Sequence, residues 1–232
     1  MKTIIDHDSL SRRARLAHIA SLGGLLVLLA SVAVSLWNPA WSVLSSAMLF
    51  GGFAVSVLGI AYANRWVKKP RPEFILDQSL KSLSDQHRLY HYTSLGDHIL
   101  LTPNGVVVLE TVNLEGQFTY LDGKWKQKMT MGRALRYIVE EKLGNPTAEA
   151  QAQTQALEKY LGEHLPDGTH LPVHSLVVFS HPLASVKADK SPMPVVQPDK
   201  LAKKVPHPGN KLAPEVYQLA REALDRLLPA EG

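Results

Sequence analysis

The sequence contains no cysteine among its 232 residues. The chain can therefore form no disulfide bond and no metal site with thiolate ligands. Net charge is also small, because 25 lysines and arginines stand against 21 aspartates and glutamates. A balance of this size does not by itself indicate a nucleic-acid partner. The length predicts one globular domain plus a further segment, and the lack of cysteine is compatible with exposure to the cytosol.

Charge is missing altogether from two apolar segments near the N-terminus, Leu16–Trp37 and Ser42–Ala63, where His18 is the only residue that could be charged near neutral pH. Each has about the 20 apolar residues needed to cross a bilayer core, and together they predict a transmembrane helical hairpin. Two buried helices of a soluble core are one alternative, but such helices normally keep a polar face. A cleaved signal peptide is another, although the first segment is long for one and a second follows at once.

The residues that flank the two segments predict how the hairpin is oriented. Basic residues precede the first segment and follow the second, whereas the connection at 38–41 is uncharged. The positive-inside bias therefore predicts a multi-pass protein of the cell membrane, with both termini and the soluble domain in the cytoplasm. The flanking basic residues are Lys2, Arg12, Arg13 and Arg15 before the hairpin, and Arg65, Lys68, Lys69 and Arg71 after it.

Other residues fit the same hairpin. Trp37, Trp41 and Trp66 fall where interfacial aromatic residues are expected. The run "KKPRP" predicts a stiff basic boundary whose cations contact anionic lipid headgroups. Glycines that would let the two helices approach closely are Gly23, Gly24, Gly51 and Gly52. The predicted divisions are a basic N-terminus at 1–15, the hairpin at 16–67, a linker at 68–72 and a cytoplasmic domain at 73–232.

Apolar periodicity in the last division predicts a mixture of helices and strands. Their order predicts an α/β (α+β) fold, with helices packed on a mixed sheet. Thr147 is a plausible N-cap, and Asp122-Gly123 is a hairpin turn. Helices are predicted at 73–83, 131–143, 147–165, 198–205 and 213–228, strands at 88–94, 97–103, 106–112, 174–180 and 193–198, and a hairpin at 116–127.

Two carboxylates stand out among the predicted strands. Asp97 opens one strand, and Glu110 lies within the next. If the strands pair through the turn at 103–105, Asp97 falls opposite Val112 and Glu110 lies about two residues along the same face. Asp97 and Glu110 could then share a divalent cation such as Mg²⁺. Alternatively, Asp97 caps a turn, and Glu110 has a structural partner inside its apolar strand.

Basic residues around the predicted hairpin favour a second kind of site. Lys124, Lys126 and Lys128 lie on it, and Arg133 and Arg136 follow. Such a cluster, with Trp125 and Tyr137 among it, could bind the phosphate backbone of DNA or RNA. A solvated surface is the alternative. The spacing of His164, His170, His174 and His181 is too irregular to predict a metal site, and no phosphate-binding loop or Ser/His/Asp arrangement is evident.

The order of these motifs resembles the nuclease-related domain family, NERD, whose core is similar to the PD-(D/E)XK restriction-endonuclease fold. "PEFILDQSLKSL" resembles the opening helix of the family, and "GDHILLTPNGVVVLETVNLEGQF" resembles its aspartate strand, turn and Glu-Thr-Lys strand. Trp125 matches a tryptophan that often follows, and "NPTAEAQAQTQALEKYL" resembles the Asn-Pro, glutamine and helix of the family. The resemblance covers about residues 72–228.

The resemblance implies a phosphodiesterase site with Glu73, Asp97 and Glu110 as catalytic residues. Asp97 and Glu110 would hold Mg²⁺ or Mn²⁺. The sequence departs from the family pattern at Val112, where the motif has lysine, and the family glutamine falls on Glu149, with Gln151 and Gln153 as alternatives. Lys124, Lys126 or Lys128 could replace the missing charge. Three functions fit: a weakened or inactive metal-dependent nuclease, a non-catalytic nucleic-acid-binding module, and a membrane interaction protein that keeps only the fold.

Overall fold

The computed structural model describes residues 1–5, 7–67, 71–128, 142–206 and 210–228, except for the side chains at 7, 9, 65 and 66. The described chain divides into two compact units. One unit is formed by residues 7–67, and the other by residues 1–5, 71–128, 143–206 and 210–228. Most of the predicted helix at 131–143, with Arg133, Arg136 and Tyr137, lies outside the described residues, as do Lys68 and Lys69.

The first unit is a pair of long helices. Helix α1 spans His7–Trp37 and α2 spans Ser42–Trp66, joined by a short 3-10 helix, Pro39–Trp41. Asn38 caps that connection, because its side chain accepts a hydrogen bond from Ala40 N. The stretches Leu10–Trp37 and Pro39–Asn64 are long and apolar enough to cross a membrane, and only 11% and 17% of their most apolar windows are buried. Their lengths agree with the predicted hairpin, and their apolar side chains are mostly exposed.

Glycine lets these two helices approach each other closely at three positions. A Cβ on Gly24 would collide with Ser56 Oγ, and one on Gly52 would lie 3.0 Å from Leu28 N. Gly59, which the sequence analysis did not single out, would collide with Ser21 N. Gly23 and Gly51 face open space instead, so only two of the four predicted glycines serve the helix contact.

The second unit is built on a six-stranded mixed sheet, in the order β1-β2-β3-β4-β7-β9. The central strands β2, β3 and β4 are antiparallel to one another, whereas β1 runs parallel to β2, and β7 and β9 continue parallel to β4. The strands are β1 Lys2–Ile5, β2 Arg88–His91, β3 His98–Thr102, β4 Gly105–Val112, β7 Val173–Phe179 and β9 Val195–Val196.

Four helices cover the two faces of this sheet, which confirms the predicted mixed α/β fold. Each begins with a proline in its first turn, where the missing N–H costs nothing. Helices α3 (Pro72–Leu80) and α5 (Pro198–Lys204) share one apolar cluster with the sheet, and α4 (Pro146–His164) and α6 (Pro214–Asp225) share another with its opposite face. The N-cap of α4 is Asn145 rather than Thr147, because the Asn145 side chain accepts from Ala148 N.

A smaller sheet has the order β6-β5-β8, formed by β5 (Gly116–Leu121), β6 (Lys124–Gln127) and β8 (Ala184–Lys187). The hairpin β5–β6 turns at Asp122-Gly123 as predicted. Both residues have left-handed φ angles, 51° and 75°, which a tight hairpin turn requires. Strand β8 was not predicted from the sequence, because it is short and pairs with β5 from far along the chain.

The N-terminal residues contribute an edge strand of the large sheet. Residues 1–15 were treated as a basic N-terminus in the sequence analysis, but Lys2–Ile5 pair in parallel with Arg88–His91. The terminal amino group bonds to Leu83 O and Asp85 Oδ1, each at 3.1 Å, and Thr3 Oγ1 donates to Asp77 Oδ1 at 2.7 Å. The chain therefore leaves this unit after β1 and returns to it at α3.

Candidate active site

The pairing of β3 with β4 places two carboxylates together. Ile99 lies opposite Val108, and Thr102 lies opposite Gly105. Continuing this register by two residues brings Asp97 opposite Glu110, on one face of the sheet. The register predicted from the sequence set positions near 97 and 112 opposite each other. That register was wrong because the connection is tighter than assumed: Thr102 closes it by donating to Gly105 O and accepting from Asn104 N.

Helix α4 brings an amide to this pair. Gln153 Nε2 donates to Glu110 Oε2 at 2.6 Å. The other amide atom, Gln153 Oε1, is buried and has no hydrogen-bond partner among the described residues. A Cβ on Gly96 would lie only 3.0 Å from that oxygen. The amide of Gln153 thus lies between Glu110 and the turn that carries Asp97.

The structure distinguishes the three residues that could match the family glutamine. Gln153 contacts Glu110, whereas Gln151 is exposed on α4. Glu149 has a different partner. Its Oε1 accepts a hydrogen bond from Asn145 N at 3.2 Å, and this bond closes the first turn of α4. Helical spacing separates these roles, because only positions such as 150, 153 and 157 share the face that meets β4. The sequence alone left this choice open.

The turn before β3 holds Asp97 in place. Tyr92 adopts a left-handed φ of 61°, which is unfavourable for a bulky residue. Its N–H donates to Asp97 O at 2.6 Å, and the Thr93 hydroxyl donates to Gly96 O at 2.7 Å. These bonds compensate for the strained backbone and fix the residues on either side of Asp97. No local sequence signal predicts this conformation at a tyrosine.

Glu73 lies in a separate, neutralised arrangement. It is buried at the start of α3, where Arg71 Nε lies 2.6 Å from Glu73 Oε1 and Tyr92 Oη donates to Glu73 Oε2 at 2.7 Å. Burial, followed by the hydrogen bond and charge of Glu73, raises the pKa of the Tyr92 phenol. The charge of Asp97 adds a smaller increase. Tyr92 therefore remains a donor between the two carboxylates, and Glu73 has one oxygen in this hydrogen bond and the other in the ion pair with Arg71.

The donor set at Asp97 and Glu110 fits a hard divalent cation. Both side chains are partly exposed, and the unpartnered oxygen of Gln153 faces the same turn. Mg²⁺ and Mn²⁺ favour oxygen ligands, and Mg²⁺ commonly takes one or two carboxylates together with waters. No group of three or more His, Cys, Asp or Glu side chains that could hold a metal occurs in the described part of the chain. Gln153 Oε1 is the further oxygen beside this turn that has no hydrogen-bond partner among the described residues.

A buried histidine pair lies on the other face of β2 and β3. The Nδ1 atoms of His91 and His98 are 2.7 Å apart, so one must donate and the other accept. His91 Nε2 lies 3.3 Å from Asp77 Oδ1, which also accepts from Thr3 of β1. Burial, then the charge of His91, lowers the pKa of His98 well below its ordinary value. This network connects β1 to the residue next to Asp97, and the sequence analysis did not predict it.

Comparison with known families identifies the second unit. Residues 70–180 match the family model of the nuclease-related domain, NERD. This part of the chain is a nuclease-related domain. Neither a curated protein nor a solved structure matches the chain. The match includes α3, α4 and strands β2 to β7, and therefore Glu73, Asp97, Glu110 and Gln153, whereas α5 and α6 of the same unit follow it.

Val112, the position at which the resemblance implies a lysine, lies in an apolar pocket of the NERD domain. Val112 is only 5% exposed and packs in a cluster with Ala150 of α4, Phe118 and Phe179. Trp125 packs against the same cluster, and its ring centroid is 5.2 Å from that of Phe179. The indole Nε1 donates to Thr147 Oγ1 at 3.3 Å, which ties β6 to the start of α4. Position 112 therefore contributes packing and no charge beside Glu110.

The three lysines of the hairpin lie on the other side of the small sheet. Side chains alternate along β6, so that Trp125 and Gln127 are partly buried whereas Lys124 and Lys126 are exposed. Lys128 follows in the same alternation and is also exposed. The aromatic face of β6 points to the Val112 cluster, and the lysines point away from it. This geometry gives no support to the expectation that a hairpin lysine supplies the charge that the resemblance implies at position 112.

Proposed function

We propose that the protein is a membrane-anchored NERD-domain nuclease whose metal-dependent site is weakened or inactive. The observation that carries this proposal is the contact of Gln153 with Glu110, which leaves an amide oxygen facing the turn of Asp97. Asp97 and Glu110 would hold Mg²⁺ or Mn²⁺, and Gln153 would orient Glu110. When bound, the metal would neutralise phosphate charge and make its water more acidic.

Position 112, where the resemblance implies a lysine, supplies no cation to this site. Val112 is enclosed by apolar side chains, and Glu73 with its Arg71 partner forms a closed pair. Removing one preorganised group that stabilises transition-state charge typically costs about 100- to 1,000-fold in rate. We therefore expect little or no Mg²⁺- or Mn²⁺-dependent cleavage of DNA or RNA by the wild-type chain.

The decisive experiment restores the charge. Full-length Val112→Lys protein in detergent is expected to cleave DNA or RNA about 100- to 1,000-fold faster than wild type with Mn²⁺ present. Glu110→Ala in the Val112→Lys background should abolish the gain, because it removes a ligand. Robust wild-type cleavage that needs Asp97 and Glu110 would show that another residue supplies the charge. Cleavage indifferent to both carboxylates would contradict the site assignment.

A second measurement covers the case in which a lysine at 112 disturbs the apolar pocket. Calorimetric titration of the wild-type chain with Mn²⁺ should show binding that Asp97→Asn weakens. Asp189→Asn is the matched control, since Asp189 is an exposed aspartate outside the candidate site. Equal Mn²⁺ affinity of all three proteins would count against a metal site at Asp97.

A non-catalytic nucleic-acid-binding module is the second candidate function, and the exposed lysines of β6 favour it. Such a protein would keep the NERD fold and bind without cutting. It predicts nucleic-acid binding in EDTA and no gain of cleavage in Val112→Lys. A membrane interaction protein that keeps only the fold would show neither property.

We place the helical unit in a membrane as an anchor, with both termini on the cytoplasmic side that the flanking basic residues predict. Its apolar residues are exposed, which distinguishes them from those of helices buried in a soluble core. Pairing of β1 with β2 requires the chain before α1 to lie on the same side of the membrane as the NERD domain. Two crossings satisfy this requirement. Signal-peptide cleavage after α1 would remove β1 from the sheet.

The absence of cysteine makes this topology directly testable. Single cysteines can be placed at Ala40, in the connection between α1 and α2, and at Asp122, in the exposed turn β5–β6. In intact cells, a membrane-impermeant maleimide should label Ala40→Cys but not Asp122→Cys, and both should react after permeabilisation. Labelling of Asp122→Cys from outside intact cells would contradict the cytoplasmic placement.

A further inference from the structure

The small sheet presents lysines from two different strands in one row. Thr119 of β5 pairs with Lys126 of β6 on one side and with Lys187 of β8 on the other. Directly paired residues point to the same face of a sheet. Strands lie about 4.8 Å apart, so the two lysine stems flank Thr119 with roughly 10 Å between them. Lys187 is about 60 residues from the hairpin along the chain, and no sequence pattern connects them.

The row extends along β6. Lys124 precedes Lys126 by two residues, and Lys128 N donates to Gln117 O, which continues the pairing beyond the end of the strand. Residues two apart in a strand are separated by about 6.7 Å. All four lysines are exposed, as are Gln117 and Thr119 between them. We call this surface the lysine face: Lys124, Lys126, Lys128 and Lys187 around Gln117 and Thr119.

Nothing in the described chain neutralises the lysine face. None of its four ammonium groups forms an ion pair or hydrogen bond with another described residue. The carboxylates nearest along the chain are Glu115, two residues before Gln117, Asp122, in the turn, and Asp189, beyond the end of β8. Exposed like charges about 7 to 10 Å apart repel one another weakly, because the Debye length at 0.1 M salt is about 10 Å. A bound polyanion would relieve that repulsion.

The lysine face carries no aromatic side chain on which a base could stack. Tyr120 and Trp125 contact each other on the opposite face of the sheet, where Trp125 also meets Phe179. Stacking on aromatic rings is the usual way in which proteins hold unpaired bases. Lysine supplies a point charge and lacks the planar fork with which arginine reads a base edge. These features favour contact with phosphates alone.

We propose that the lysine face, with Lys187 as an integral part, binds the phosphodiester backbone of duplex nucleic acid without regard to base sequence. The proposal deepens the nucleic-acid role stated under Proposed function and rests on it. It requires neither a metal ion nor Val112, since the lysines project from the face opposite the Val112 cluster. Binding at this face and cleavage at Asp97 and Glu110 can therefore be tested separately.

The test uses the full chain in nanodiscs of zwitterionic lipid, in buffer with EDTA, and a short fluorescent DNA duplex read by anisotropy. Lys187→Ala should raise the Kd several-fold, and Lys187→Arg should not. The variant with all four lysines changed to alanine should lower the salt slope by up to about 3.6, from about 0.9 per phosphate contact. Lys81→Ala, an exposed lysine at the end of α3, is the matched control and should change nothing.

Each outcome decides the proposal. Equal affinity for duplexes of different sequence, with the losses described, supports it. Unchanged binding in Lys187→Ala, or no duplex binding by wild type at low salt, overturns it even if Val112→Lys gains cleavage. The proposal is also overturned if the protein binds soluble short-chain phosphatidylserine through the four lysines and does not bind the duplex. In that case the lysine face binds anionic lipid. Lysine-dependent duplex binding keeps the face and rejects the nuclease site if Val112→Lys gains no cleavage and Asp97→Asn leaves the Mn²⁺ affinity unchanged.

Discussion

Two neighbouring contacts between α4 and β4 differ in chemistry although they are one helical turn apart. At one, Gln153 donates to the partly exposed Glu110. At the other, Ala150 packs in the same closed cluster as Val112, together with Phe179. The first contact leaves a buried amide oxygen without a partner, whereas the second leaves no polar atom to satisfy. The polar contact is suited to binding, and the apolar contact is suited to holding the NERD domain together.

This difference bears on position 112, where the resemblance implies a lysine and the chain has valine. A buried lysine is costly unless its charge is paired. Valine at the same position instead adds to an apolar cluster that joins the small sheet, α4 and β7. The domain thus gains packing at the position where the motif would have charge, while Asp97, Glu110 and Gln153 remain together.

The largest expected effect comes from breaking the apolar contact. Phe179 is fully buried between Phe118 and Trp125, with ring centroids 4.8 Å and 5.2 Å away. Phe179→Ala should lower the free energy of unfolding by about 3–5 kcal/mol, because it removes buried area and leaves a cavity. Thermal unfolding of the full chain, followed by tryptophan fluorescence, measures this. Leu183→Ala, at a residue 70% exposed, is the control and should stay within about 0.5 kcal/mol of wild type. A similar small change in Phe179→Ala would show that this cluster does not stabilise the domain.

An intermediate effect is expected from the polar contact. Gln153→Leu keeps the size of the side chain but removes the hydrogen bond to Glu110, and should cost about 1–2 kcal/mol. Its larger consequence should be a weakening of Mn²⁺ affinity by about 10- to 100-fold, as for other groups that orient a ligand. Calorimetric titration checks this, with Gln151→Leu on the exposed side of α4 as the control. If Gln153→Leu loses stability but keeps its Mn²⁺ affinity, the polar contact is structural only.

The smallest expected effect is a pH dependence of stability that comes from the buried pair His91–His98, a polar contact shielded from solvent. The pKa of His98 is lower in the folded chain than in the unfolded one. Below about pH 6.5 the unfolded chain therefore takes up a proton that the folded chain does not, so stability falls as pH decreases and is unaffected at higher pH. The expected loss between pH 7 and pH 6 is about 0.7 kcal/mol.

The groups around the histidine pair do not cancel this effect. Burial alone would raise the pKa of Asp77, but hydrogen bonds from His91 and Thr3 and the charge of His91 outweigh it and lower that pKa. Asp77 therefore stays charged through this window. His98→Gln should reduce the pH dependence of thermal unfolding, and His170→Gln, at an exposed histidine, should preserve it. An unchanged dependence in His98→Gln would assign it to other groups.

Much of this architecture could be read from the sequence because its signals are local. The apolar lengths of α1 and α2, the strands β2 to β7, the turn at Asp122-Gly123 and the helices α3 to α6 all follow from periodicity, composition or turn chemistry. The presence of Asp97 and Glu110 on adjacent strands followed in the same way. The register between them did not, because it depends on how Thr102 closes the turn.

The tertiary structure decided what depends on partners distant in the chain. Strand β1 exists as a sheet edge because β2 lies beside it, and the terminal amino group meets Leu83, 82 residues away. Among Glu149, Gln151 and Gln153, it is Gln153 that bonds to Glu110, a residue 43 positions away. Lys187 is part of the lysine face only because β8 pairs with β5. The sequence alone determined that the chain has two apolar helices and a mixed α/β domain with paired carboxylates, since each element carries its own periodicity. Long-range pairing determined which side chains meet, because a short segment of polar residues has no preferred partner until the sheet and its helices have assembled.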